Sequence, residues 1–467
     1  MLGSSSYSSE EDHQDHKQSS PLDLPLHPPP SFLDYHHHLI PSTTNTNINT
    51  NTNTTNTNSS VPSPSVLLPS TIVTNHFPFI HPRQLLITCA ELISRSEFTS
   101  AHRLLTLLST DFASQSGDAT ERLVFYFIKA LNQRLNRCNT IVNHDLTLSP
   151  IPRPPIIRTR SYSSYLSLNQ VTPFIRFTHL TANQAILEAM EGFSLIHILD
   201  MDIMHGVQWP PLLQAIKERS TTLGRISPRI RITGAALEPT HLEKTGSRLR
   251  KFAESLGLEF EFYELVLQDC DEFDYSEAVT QAIIIRSCDQ VEEGVAINCG
   301  DYLHRLLKEY DTRSLRRFLS RMKSLNPRVL TIGEIEADHN HPLFLRRFVN
   351  ALEHYAAMFD SLEATIPPQS KERAAVEEGW LWEEIKDVVG EEGDRRRENH
   401  QKYESWEVVL RSSGFKSLAL SPFSVSQAKL LLRLHYPSEG YQLQVLNSNC
   451  LLLGWKNCPL YSVSSWH

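Results

Sequence analysis

Apolar positions along the chain change their spacing twice. Before about residue 80 they are scattered through polar sequence. From His81 they take a helical period: Leu85, Leu86, Cys89, Leu92 and Ile93, then Leu104, Leu105, Leu107 and Leu108. ERLVFYFIKALNQRL, from Glu121, predicts a second amphipathic helix. After a Pro-rich break at Pro150–Pro155, PFIRFTHLTANQAILEAMEG predicts further helices that stop at Gly192. From Leu195 short β-rich runs alternate with helical segments. These are LIHILDMD, RIRITGAAL (229–237), LEFEFYELV (258–266), EGVAINCGDYL (293–303) and RVLTIGEIEA (328–337). FKSLALSPF (415–423), YQLQVLNSN and CLLLGWKNC add two or three more strands near the end.

Strands separated by helices predict a mainly parallel sheet with helices on both faces. The late strands follow one another through short turns, which predicts an antiparallel pair at one edge. The expected fold class is α/β: a methyltransferase-like, Rossmann-type mixed sheet with a helical cap subdomain, preceded by a disordered N-terminal tail. The tail, 1–80, holds SSEEDHQDHKQSS, PLDLPLHPPP, His36-His37-His38 and an Asn/Thr run from Thr43 to Asn58. Such a tract buries too little apolar surface to offset its ordering entropy. Its His triplet and the triplets at Asn53 and Asn58 read as solvated sequence rather than as metal or glycan sites.

Composition narrows the function classes. The 467 residues carry a formal charge of −9, which speaks against a generally basic nucleic-acid surface and leaves room for a local patch. No apolar run is long enough to span a membrane. The start MLGSSSYSSEED has neither basic nor apolar signal regions. Seven cysteines form no CxxC pair, so structural zinc is not expected and a reduced compartment is.

The segment Leu195–Ile216, LIHILDMDIMHGVQWPPLLQAI, has the strand–turn–helix layout of a nucleotide-binding unit. A methyl donor or dinucleotide needs glycines in that turn, because the backbone must approach the ligand. Counting from Asp200, the three glycine places hold Asp202, Met204 and Gly206. No GxSxG, HExxH or P-loop pattern occurs. His197 sits inside the first strand and reads as a hydrogen-bonded core histidine; His205 and Asp202 are candidates for a relic pocket. Glu238 follows the second strand and reads as a turn residue. Glu334, Glu336, Asp338, His339 and His341 resemble metal-ligand material, yet Glu334 and Glu336 share one face of a strand and a cap formed by Asp338–His341 before the helix at Pro342 is the stronger reading. The expectation is a protein that is not an enzyme, with no cofactor, no metal and no catalytic residues.

These blocks resemble the plant GRAS family of transcriptional regulators. Ile196, His197, Ile198, Leu199 and Asp200 stand where that family has VHIID. Gly206, Gln208, Trp209, Pro210 and Leu212 match its GxQWPxL extension. VAINCGDYLHRLL (295–307) resembles the lead into its PFYRE region. ESWEVVLRSSGF, from Glu404, and Trp455, Leu460, Ser465 and Trp466 resemble its SAW region, with Ser465 for the usual Ala. The resemblance implies one domain over 81–467: leucine-rich repeat I and cap at 81–140, a VHIID-like region at 160–226, leucine-rich repeat II at 244–276, a PFYRE-like region at 285–385 and a SAW-like region at 388–467. It implies nuclear transcriptional control through other transcription factors or co-regulators, homo- or heterodimers, and DNA contact in some members. The start MLGS and DIMHGVQWPP look most like the Lateral suppressor subgroup, which governs axillary meristems. The tail has neither DELLA nor VHYNP.

Three surfaces are candidates for such contacts. Leu104–Leu108 and Leu303–Leu307 both spell LxxLL; on a helix, Leu303, Leu306 and Leu307 would share a docking face, although burial gives the same spacing. Leu92, Leu104 and Leu108 are candidates for a dimer through the cap. Arg225, Arg229, Arg231, the run Arg313–Lys323 and Arg395–Arg397 are basic candidates for DNA, with Arg248, Arg250 and Lys251 foremost. The alternative function is a divergent small-molecule-binding or methyltransferase-like protein. The turn Met201–Gln208 discriminates the two, since a ligand needs open space there.

Overall fold

The computed structural model describes residues 81–143, 162–267, 293–308 and 311–467. The predicted tail, its His triplet, the Pro150–Pro155 break and residues 268–276 of repeat II lie outside the described residues. Prolines begin many of the helices, where their missing N–H costs no hydrogen bond. Pro82 opens α1 (Pro82–Ser94), with the His81 ring accepting the N–H of Arg83 at 3.3 Å. After α2 (Phe98–Asp111), α3 (Ala119–Asn143) and α4 (Tyr162–Val171), extended Thr172 breaks the chain before Pro173 restarts it as α5 (Pro173–Ala189).

Five parallel strands follow: β1 (Leu195–Asp200), β2 (Arg229–Ala236), β3 (Phe260–Val266), β4 (Glu293–Gly300) and β5 (Val329–Ile335). Helices α6 (Trp209–Thr222), α7 (Pro239–Ser255) and α8 (Arg313–Ser324) lie between them. Three antiparallel strands close the sheet: β6 (Tyr441–Leu446), β7 (Cys450–Trp455) and β8 (Cys458–Trp466). The strand order is β3-β2-β1-β4-β5-β8-β7-β6. Order and mixed direction are those of the predicted methyltransferase-like sheet. β1 is buried along its whole length, as a central parallel strand must be, whereas edge strand β6 is largely open to solvent.

The cap draws on two distant parts of the chain. Helix α3 packs with α9 (Phe344–Thr365) and α11 (Trp382–Gly390), α1 packs with α9, α2 packs on α1 and α3, and α10 (Lys371–Val376) packs on α4, while α5 lies against β5 and β8 of the sheet. A buried ion network locks the two parts. Arg122 of α3 reaches Glu377 at 3.0 Å and Glu363 at 2.7 Å, and Arg373 holds the same two carboxylates.

Two predicted elements are corrected. Residues 415–423 form no strand: they share backbone hydrogen bonds with the end of β8, with Leu418 N–H donating to Ser465 and a single bridge at Ser417. The Ser421 hydroxyl then accepts the N–H of Ser424, and Pro422 opens α13 (Pro422–His435), which follows α12 (Tyr403–Ser412). The LxxLL segment is a short 3-10 turn at Leu303–Leu306, with Leu307 already extended. No described helix is long and apolar enough to cross a membrane.

Candidate functional site

Parallel registration of β1 with its neighbours puts Asp200 beside Gly234 of β2 and Asn298 of β4. A buried carboxylate must find donors. Asp200 accepts from the Trp209 indole at 2.9 Å, from the Asn298 amide at 3.1 Å and from the backbone of Asp202 at 3.4 Å. Asn298 exchanges amide hydrogen bonds with Gln208 at 3.2 Å and accepts from Thr331 at 2.9 Å; Gln208 in turn is tied to Asn183 of α5. The network occupies the carboxyl ends of the central strands, where ligands sit in open α/β sheets. Burial pushes the Asp200 carboxyl up to about 7.

The glycine places of the adjacent turn have been put to other uses. Asp202 pairs with Arg305 at 2.8 Å, and Arg305 also holds Asp301, so the carboxylate anchors the 3-10 turn after β4. Met204 keeps the left-handed backbone a glycine would favour, at φ 45°, with its side chain buried. Its carbonyl accepts from the rings and hydroxyls of α7, namely His241 and Thr245. Gly206 has φ +67°, and a Cβ there would lie 2.8 Å from the Thr245 methyl. The surviving glycine thus serves the approach of α7. His205 meets the Tyr162 carbonyl at 3.0 Å, and burial lowers its ring to about 4. His197 lies in the core, 2.8 Å from the Thr233 hydroxyl and 3.1 Å from Glu293. The cleft that remains, lined by Asp202, Met204, Gln208, Asn298, Glu334 and Tyr461 among others, measures about 40 Å³. Cofactor and ligand pockets run to about 300–1,000 Å³.

The acidic run on β5 forms caps, and at positions the sequence did not suggest. Glu334 Oε1 accepts the N–H groups of Leu303 at 2.8 Å and Tyr302 at 3.2 Å, and Oε2 faces His304 Nδ1 at 2.7 Å. Glu336 accepts the N–H of Tyr403 at 3.0 Å, at the start of α12. Both place a carboxylate at the positive end of a turn or helix. His341 accepts the N–H of Leu343 at 3.1 Å, Asp338 receives the Asn350 amide, and His339 is buried beside Tyr355. The sequence predicts a cap at Asp338–His341; Glu334 and Glu336 cap elements remote in sequence that it does not suggest, and α9 starts at Phe344 rather than at Pro342.

Burial raises Glu336 to about 7, above its ordinary value of 4.5. The folded chain therefore binds this proton more tightly than the unfolded chain does. The resulting stability is complete below pH 4.5 and is lost as pH rises through 7. Glu336→Gln keeps the acceptor for Tyr403 and removes the titration. Relative to this variant, wild type should lose on the order of 3 kcal/mol between pH 4.5 and 8, read from urea unfolding at a series of pH values. A constant difference between the two would disprove the assignment.

The other candidates fall in several environments. Leu303 and Leu307 are buried and Leu306 is half-buried, so the LxxLL docking face is corrected to core packing. Leu108 is buried, and Leu92 and Leu104 are half-buried against the same core, with Leu107 exposed beside them. Arg248 spends its guanidinium on the His205 carbonyl and the Thr245 hydroxyl, which removes it from a phosphate-binding surface. Arg250 donates to the Phe262 carbonyl, and Lys251 is exposed. Arg231 is buried on Glu261 and Glu293, Arg229 pairs with Glu259, and Arg396 is buried on the His339 carbonyl. The exposed basic stripe is instead on α8, where Arg316, Arg317 and Arg321 are exposed and Arg313 beside them pairs with Asp311 at 2.9 Å.

Over residues 82–467 the chain matches the GRAS domain family. It belongs to that family. Scarecrow-like protein 18 of Arabidopsis thaliana is 46% identical over 409 residues, covering 82% of this chain and 91% of that protein. Protein MONOCULM 1 of Oryza sativa subsp. japonica is 42% identical over 402 residues, covering 82% and 88%. The crystal structure of SCL7 from Oryza sativa superposes with a TM-score of 0.67 at 34% identity, over 83% of this chain and all of that one.

In this GRAS chain the SAW-like residues tie the sheet together and to the cap. Trp455 donates its indole N–H to Asp360 of α9 at 2.6 Å, Ser465 donates to the Leu418 carbonyl, and Trp466 is fully buried. Asn183, Asn298 and Thr331 are site residues that sequence reasoning missed. No local pattern marks them; only strand register unites them with Asp200.

Proposed function

We propose that this GRAS chain is a plant transcriptional regulator of development that works in the nucleus through contacts with other transcription factors and co-regulators. Its setting is axillary and shoot meristem initiation. The observation that carries this reading is the filled turn. Where a methyl donor would lie, Met201, Ile203 and Met204 are buried, and Asp200, Gln208, Trp209 and Asn298 satisfy one another. That leaves a scaffold whose surfaces do the work. Similarity to Scarecrow-like protein 18 and Protein MONOCULM 1 supports the developmental setting, and the α8 stripe supports DNA contact as a second reading.

Affinity purification from shoot meristem tissue, read by mass spectrometry, should recover DNA-binding transcription factors. A calorimetric titration with S-adenosylmethionine should give no binding heat; saturable uptake would reinstate the methyltransferase-like alternative. Self-association is assigned to the outer face of α1 and α2. Leu92→Glu with Leu104→Glu should lower the sedimenting mass while far-UV circular dichroism is retained, and an unchanged mass would remove that face from consideration.

A further inference from the structure

Behind the cleft, two imidazoles lie face to face between two carboxylates. The rings of His304 and His400 are 4.0 Å apart, and both side chains are wholly buried. On one edge Glu398 Oε2 is 3.2 Å from His304 Nε2 and 3.1 Å from His400 Nε2. On the other, Glu334 Oε2 is 2.7 Å from His304 Nδ1 and 3.8 Å from His400 Nδ1.

The two edges differ in kind. The His304 Nδ1–Glu334 contact is a well-directed hydrogen bond. On the Nε2 edge one carboxylate oxygen, Glu398 Oε2, stands at nearly equal distance from both ring nitrogens. Two imidazole nitrogens drawn to about the same distance from one carboxylate oxygen have the spacing of ligands around a shared cation. Around a tetrahedral zinc at its usual ligand distances of about 2.0–2.1 Å, neighbouring ligand atoms stand about 3.3 Å apart. The outer arrangement also fits, because a metal-bound imidazole commonly donates its other N–H to a carboxylate, as His304 does to Glu334.

The backbone pre-sets this geometry. The His400 carbonyl accepts the N–H groups of His339 and Asn340 at 2.9 and 3.0 Å. The Asn399 amide holds the Leu307 carbonyl at 2.8 Å, and Glu334 caps the turn carrying His304.

We propose that His304 Nε2, His400 Nε2 and Glu398 Oε2 bind one divalent transition-metal ion of the zinc class, with Glu334 as the outer carboxylate and one position left for water. Imidazole and carboxylate donors suit zinc. The ion would clamp the segment before α12 onto the turn after β4.

The test uses the purified full chain. After desalting, plasma mass spectrometry should find about one zinc per chain, and cobalt(II) added to the stripped protein should give the intense visible bands of a tetrahedral site. Glu398→Gln and His400→Gln should each weaken zinc binding by about tenfold or more, whereas Asp301→Asn, on the Nδ1 edge, should not. A wild-type chain that takes up neither metal overturns the proposal whatever the variants do. Loss of zinc in Asp301→Asn but not in Glu398→Gln overturns the assignment to this edge.

Discussion

Arg122→Met should cost the chain about 3–5 kcal/mol, the loss typical of breaking a buried ion pair from one side. Arg122 is 2% exposed and donates to Glu377, Glu363 and the Gly117 carbonyl. Its removal leaves Glu377, itself buried, with Arg373 as the remaining partner for a charge that burial already disfavours. The loss should appear in equilibrium urea unfolding, with the cap detaching first. Replacing both partners, as in Arg122→Met with Glu377→Leu, should be milder than the sum of the single changes, because no uncompensated charge remains. Additive losses would show that the network is not a coupled unit.

Trp209→Ala should be of similar size, about 3–5 kcal/mol for emptying a buried tryptophan site. The indole is 0% exposed at the first turn of α6, and its N–H is one of the donors to Asp200. Trp209→Phe separates the two contributions. It retains most of the packing and forfeits the hydrogen bond to a buried carboxyl, so about 1–3 kcal/mol of loss should persist. If Trp209→Phe were neutral, the Asp200 network would not depend on the indole.

How much of this was legible follows from which interactions are local. β1, β2, β4 and β5 could be read from their apolar runs, because a strand buried on both faces advertises itself in sequence, whereas edge strand β3 was legible from its β-rich residues. Asp202 and Met204 at the glycine places were legible as a departure from a ligand-binding turn. The salt bridge from Asp202 to Arg305 was not, since it spans distant segments. The LxxLL spacing at Leu303–Leu307 predicts a helix, but the Glu334 carboxylate from β5 caps a single turn there and Leu307 leaves it extended. Residues 415–423 alternate like a strand and are overruled by the Ser421–Pro422 helix start. The second half of the cap gives no local sign that α9 and α11 will pack on α3, because the ion network that joins the two halves exists only in three dimensions.

The position of β8 has a consequence for how the protein is made. β8 is the last strand in chain order, yet it sits between β5 and β7 and pairs with both. A ribosome delivering this chain releases β5 long before β8, whereas β7 reaches β8 through a tight turn at Lys456. Until Cys458–Trp466 emerges, β5 presents an open edge ready to pair with another chain. Closure of the sheet therefore waits on Cys458–Trp466, and a premature stop before Cys458 should yield aggregation and clearance rather than a shorter working protein.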